Sequence, residues 1–163
     1  MLENSDRSNF ILIDNKGKEI CSYSYIYQPY IDNDYLLVRK DIFKDHFKYG
    51  IINHLGKIIK KIKFDKIEFR ENSIIFKADK SYLITDLNFN RKFEISKAQE
   101  LNFISNELIL VKISDRKWKL ITEYGKEKLE IAAEKVEYNN RRSLKVINET
   151  ESYFIDFDGN KVK

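Results

Sequence analysis

The chain has 163 residues, 42% of them hydrophobic and 34% charged, with a net charge of +4 and a pI of about 8.9. That length fits one domain burying roughly two thirds of its unfolded surface, and the composition excludes a disordered polymer and a membrane-spanning helix. One cysteine, Cys21, excludes an internal disulfide, and the acidic start Met1–Ser8 carries no secretory signal, so a cytoplasmic location is expected.

Residues 1–8 are expected to form an N-terminal arm and residues 9–163 a single β-repeat domain. In chain order, the apolar or alternating segments Phe10–Ile13, Tyr49–Ile52, Tyr82–Ile84, Trp118–Ile121 and Tyr153–Ile155 predict strands. Polar turns follow four of them directly, at Asp14–Gly17, Asn53–Gly56, Thr122–Gly125 and Asp156–Gly159. Asp, Asn or Thr at the first turn position bonds backbone N–H groups just ahead, while glycine supplies the left-handed residue. Each is a β-hairpin signature.

These turns recur. Gly17, Gly56, Asn90, Gly125 and Gly159 are spaced by 39, 34, 35 and 34 residues, and Asn33, Asn72, Asn106 and Asn140 by 39, 34 and 34. Glycine and then asparagine tolerate positive φ best, so both series are expected to hold left-handed turn residues. A fixed period of this size marks an internal repeat. Ile67–Phe69 and Ile74–Phe76 flank Asn72, and Leu101–Phe103 and Leu108–Leu110 flank Asn106. The unit therefore reads strand, turn, strand, turn, strand, and four copies with a final hairpin predict about fourteen strands. The expected fold is all-β: antiparallel β-hairpin repeats of about 35 residues, in a propeller-like ring or a curved β-solenoid.

Two places break the rhythm. In the third copy, Leu83–Asn88 matches Leu120–Gly125 and makes Asn88 the turn residue, whereas Asn90 keeps the downstream spacing; a hairpin loop longer by two residues reconciles them. In the first, Asn33 to Gly56 is 23 positions against 19 from Asn106 to Gly125. The extra residues fall near Lys40–Phe47, and such insertions are expected to emerge as loops on one face.

The stretch Tyr49-Gly50-Ile51-Ile52-Asn53-His54-Leu55-Gly56-Lys57 resembles a unit of the WG-repeat family. That signature is an aromatic, a glycine, two apolar positions, Asp or Asn, two variable residues and Gly-Lys. Trp118 to Lys126 fits the same frame with Lys119 in place of the second-position glycine, and Phe10 to Lys18 fits with Ile11 there. At Ser81 and Ser152 the aromatic is replaced, with Tyr82 and Tyr153 following. The resemblance implies a bacterial repeat protein of mainly β structure that acts as an interaction module with no assigned chemistry.

No convergent chemistry stands out. His46, His54 and Cys21 lack the tight four-ligand spacing of a zinc site, so no metal is expected. Asp156-Phe157-Asp158-Gly159 resembles the opening of a calcium loop, but other copies use the same slot for a turn. Cys21 reads as an inert strand thiol. Asp65 and Glu68 with Arg70 and Lys77 form a faint nuclease-like set of a kind frequent in a highly charged chain. Trp118 reads as the packing aromatic of its repeat, with a binding hot spot as the alternative. Pro29 marks a strand end or edge.

Charge is uneven. Between Arg39 and Arg70 ten basic residues face four acids (Asp41, Asp45, Asp65, Glu68), a net +6 that leaves −2 for the rest. The ten are Arg39, Lys40, Lys44, Lys48, Lys57, Lys60, Lys61, Lys63, Lys66 and Arg70. Within Lys57–Phe64, Ile58, Lys60, Ile62 and Phe64 share one strand face, and lysines at an edge deter aggregation. The functional reading of the ten is a binding patch for phosphate or an acidic protein. The expected function is thus a non-enzymatic protein-interaction module with a protein partner, no cofactor and no membrane. The alternative is a charge-driven binder or inhibitor of a nucleic acid or nuclease complex through residues 39–70.

Overall fold

The computed structural model describes residues 10–27, 34–139 and 142–162. The expected arm at 1–8, Pro29, Asn33 and Asn140 lie outside the described residues. Among the described residues there are eighteen strands and no helix, and every strand pair given a register is antiparallel. The chain divides into two compact units: Met1–Asp79 with Leu87–Phe89, and Lys80–Asp86 with Asn90–Lys163.

In the first unit, β1 (Phe10–Ile13) pairs with β2 (Glu19–Tyr23). Strands β3 (Tyr25–Tyr27), β4 (Tyr35–Phe43), β5 (His46–Asn53) and β6 (Ile58–Phe64) follow one another in a four-stranded sheet. A hairpin of β7 (Lys66–Phe69) and β8 (Ile74–Ala78) completes it. The core of this unit holds Val38, Ile51, Ile52, Phe64, Ile74 and Phe76, with the Phe64 and Phe76 rings 4.8 Å apart.

The second unit begins with the hairpin β9 (Ser81–Thr85) and β10 (Arg91–Ile95). Two four-stranded sheets follow in sequence order. The first contains β11 (Glu100–Phe103), β12 (Leu108–Ser114), β13 (Lys117–Thr122) and β14 (Glu127–Ala132). The second contains β15 (Lys135–Asn139), β16 (Ser143–Ile147), β17 (Ser152–Ile155) and β18 (Lys161–Val162). Leu110, Trp118, Leu120, Ile131, Val136, Leu144 and Val146 form one apolar cluster between these two sheets. Each such buried side chain contributes about 1.5–3 kcal/mol.

The hairpin turns follow one pattern. Gly17, Gly56, Gly125 and Gly159 all take positive φ, between 77° and 90°. The side-chain oxygen at the first turn position accepts the backbone N–H four residues on: Asp14 from Lys18, Asn53 from Lys57, Thr122 from Lys126 and Asp156 from Asn160, at 2.8–3.2 Å. The third copy obeys the same rule and corrects the sequence reading. Asp86 accepts from Asn90 at 2.8 Å and donates its own N–H to the Asn90 carbonyl at 2.9 Å. The loop therefore has the ordinary length, and the left-handed residue is Phe89 (φ 65°), neither Asn88 nor Asn90. Its strain is offset by an edge-on contact with Tyr35, ring centroids 4.8 Å apart.

The asparagine series departs further from expectation. Turns do occur at Arg70–Ser73 and Ile104–Leu108, but neither Asn72 nor Asn106 takes positive φ. The Ser105 hydroxyl holds the latter turn, accepting the N–H groups of Glu107 and Leu108 at 3.2 Å.

The repeat has four strands, because the middle strand of the expected unit breaks and passes to another partner. Four breaks, at Ser24, Asp65, residues 96–99 and residues 133–134, account for the excess over the expected strand count. Asp65 shows how a break is held. Its carboxylate accepts from Lys48 Nζ and, at 2.5 Å, from the Asp79 N–H, while its own N–H donates to Lys77 O at 2.8 Å. The Lys48 bond, ahead of the Asp79 bond, holds this carboxyl below the usual aspartate range.

The insert is not a loop. It lengthens β4 to nine residues and β5 to eight, joined by a tight turn with Asp45 at φ 63°. Opposite this hairpin, β6 bulges: Tyr49 faces Phe64, but Ile51 already faces Lys60. Gly50 makes room for the bulge, since a Cβ there would meet Ile62 Cγ1 at 2.7 Å and the Lys60 carbonyl oxygen at 2.8 Å.

Gly50→Ala is accordingly expected to cost about 1–3 kcal/mol, read as a lower urea midpoint; an unchanged midpoint contradicts the bulge packing. A depressed native carboxyl contributes stability above the unfolded value of about 3.9, and this is lost as pH falls through the native value. Asp65→Asn is therefore expected to lower stability at neutral pH and to flatten its decline below about pH 4, in urea unfolding followed across pH.

Candidate binding surface on the first unit

Register places one row of side chains across the β3–β6 sheet: Tyr25 opposite Arg39, Arg39 opposite Tyr49, Tyr49 opposite Phe64. Period-two alternation adds Tyr27, Asp41 and Phe47 to the same face. The row grades from Phe64, buried at 4%, to Tyr25, Tyr27 and Phe47, exposed by 37%, 46% and 38%.

Arg39 is the centre of this face. Its guanidinium carbon lies 3.7 Å from the Tyr25 ring centroid and 4.9 Å from that of Phe47. Its Nε sits 3.1 Å from Asp41 Oδ1, and the Asp41 N–H donates to Ser24 Oγ at the β2–β3 break. Tyr25 in turn stacks on Tyr27 at 5.8 Å and lies 5.6 Å from Phe10. Phe47 meets Tyr49 edge-on, and Phe43, exposed by 60%, packs against His46 at the hairpin tip. A planar cation held between aromatic faces keeps its charge while shedding water, at about 0.5–2 kcal/mol per contact.

Five of the ten basic residues, Arg39 among them, are engaged by other groups of the fold. Lys48 is spent on Asp65, and Lys66 and Arg70 both contact Glu68. Lys60 donates to the Phe89 carbonyl at 3.2 Å and reaches over the Phe76 ring. Lys40, Lys44, Lys57, Lys61 and Lys63 are exposed and make no ion pair among the described residues. On β6 the alternation holds from Lys60 onward, with Lys61 and Lys63 outward, but Ile58 is exposed because of the bulge. The aromatic partners of Arg39 were missed from sequence; their signal was the alternation Tyr23, Tyr25, Tyr27 and the pair Phe43 and Phe47 in the insert.

The other candidate residues have structural duties. Burial pushes the Cys21 thiol up, away from the reactive thiolate. The His54 backbone N–H donates to the Asp34 backbone carbonyl at 3.2 Å, with the ring Nδ1 3.8 Å from the Asp34 carboxylate. Glu68 is held below the usual glutamate range, chiefly by Lys66. Asp156 uses Oδ1 on the N–H groups of Asp158 and Asn160 and Oδ2 on the Asn160 amide, so the hairpin occupies its oxygens. Trp118 is core, exposed by only 3%.

No protein-family model and no curated protein matches the chain. Solved structures resemble it in fold. Kluyveromyces lactis Hsv2 with its complete loop 6CD gives a TM-score of 0.51 at 17% identity, covering 95% of this chain and 49% of that one. KlHsv2 with loop 6CD replaced by a Gly-Ser linker gives 0.51 at 18%, covering 94% and 51%. A eukaryotic initiation factor gives 0.50 at 9%, covering 95% and 48%. The chain thus spans about half the length of these structures. The likeness shows an all-β fold of antiparallel hairpin sheets like those of β-propeller proteins.

Proposed function

We propose that the chain is a non-enzymatic protein-interaction module whose docking surface is the exposed aromatic face around Arg39. The observation that carries this reading is the Arg39 guanidinium set between Tyr25 and Phe47 on a half-exposed sheet face. Tyr, Trp and Arg dominate binding hot spots, and Arg39 is already packed by two rings beside the Asp41 carboxylate. The exposed Lys44 at the hairpin tip adds positive charge beside this face, so the fitting partner presents an apolar patch edged with carboxylates. The WG-repeat resemblance at Tyr49–Lys57 points to the same class of bacterial interaction module.

A second reading keeps the charge-driven binder of nucleic acid or a nuclease complex. Its support is the five exposed, unpaired lysines at 40, 44, 57, 61 and 63. The ion pairs of Arg39, Lys48, Lys66 and Arg70 within the fold weigh against it.

The two readings separate by variant and by salt. With a partner recovered from the native cells and titrated against the purified chain, Phe47→Ala or Tyr27→Ala is expected to weaken binding about 30-fold or more. The triple change Lys57→Glu, Lys61→Glu, Lys63→Glu is expected to leave it within about threefold. The reverse ranking, with affinity falling steeply between low and physiological salt, favours the second reading.

A further inference from the structure

The second unit carries a groove of about 670 Å³ that the first-unit surface does not explain. One wall is the β11–β13 face with Glu100, Leu110, Lys112 and Trp118; the other is Glu134, just before β15, and Val136 on it. Two observations mark it as a site. Trp118 is 97% buried (3% exposed), yet its Nε1–H meets no acceptor, an orphaned donor that costs about 1–3 kcal/mol. Glu134 is a half-buried carboxylate with no cationic partner among the described residues. The remaining charges are matched: Glu100 lies 3.5 Å from Lys112, and Lys135 lies 2.5 Å from Glu137.

We propose that this groove binds an arginine or lysine side chain presented by an extended segment of a partner protein. The charge left over is a single carboxylate, so the favoured occupant is a cation. The apolar lining from Phe103, Leu110 and Val136 suits the methylene stem of such a side chain. An extended segment also brings backbone carbonyls, and one of these supplies the acceptor that Trp118 Nε1 lacks. Lys112 lies over the indole, 5.4 Å from its centroid, and is the flexible group that yields to admit it. A volume of this size falls within the usual range for ligand sites. The site is independent of Arg39 and its aromatic neighbours.

Trp118 is the chain's only tryptophan, so indole emission reports on this groove directly. The full chain is titrated with the tripeptide acetyl-Ala-Arg-Ala-amide, with acetyl-Ala-Glu-Ala-amide as the matched control. The expected result is a saturable emission change with the arginine peptide alone, weakened about tenfold by Glu134→Gln. Glu134→Lys, with an unchanged unfolding midpoint, is expected to abolish the arginine response. No saturable change, an equal response to the glutamate peptide, or indifference to both Glu134 variants overturns the proposal.

Discussion

A side-chain oxygen at the first position of one hairpin turn in each repeat, capturing the N–H four residues ahead, is the constraint on which the rest of the structure depends. It closes the five turns that begin at Asp14, Asn53, Asp86, Thr122 and Asp156 and ties each to a left-handed residue three places on. Because strand side chains alternate with period two, a slip of one residue would exchange the buried and exposed faces of each sheet. Turn chemistry thus decides which aromatics reach solvent. The third hairpin shows the strength of the rule: Asp86 and Asn90 keep the geometry although it forces Phe89 into a conformation that bulky residues avoid.

The candidate surface follows from that register together with one departure from regularity. Lengthening β4 and β5 carries Phe43 and Phe47 beyond the ordinary sheet edge, and the bulge over Gly50 lets β6 stay packed beneath. Arg39 then lies where the row turns from core to solvent, with aromatic rings on both sides and Asp41 as its counter-charge. Contacts that hold Arg39 before any partner arrives reduce the entropy that binding must overcome.

Much of this was legible in the sequence, and the rest was obscured for physical reasons. The all-β class, the hairpins at Gly17, Gly56, Gly125 and Gly159, and the buried role of Trp118 follow from turn chemistry and alternation. The strand breaks did not show, because Ser24, Asp65, Ala98 and Ala133 carry no glycine or proline signal. They are defined by bonds to distant residues, such as Asp65 to Lys77, Ala98 to Lys80 and Ala133 to Arg116. The asparagine series misled at Asn72 and Asn106, which sit in turns that need no positive φ. The ion pairs of the basic segment were hidden too: counting charges along a chain cannot reveal that Glu68 is shared by Lys66 and Arg70.

The central claim is that the Arg39 face of the first unit meets a protein partner, and site-specific photo-crosslinking in the native cells tests it most directly. A photoreactive phenylalanine is placed at position 47 and, as a control on a side chain exposed by 71%, at position 124. A discrete cross-linked protein is expected from position 47 and none from position 124. Adducts of equal yield from both positions, or none from position 47, would contradict it.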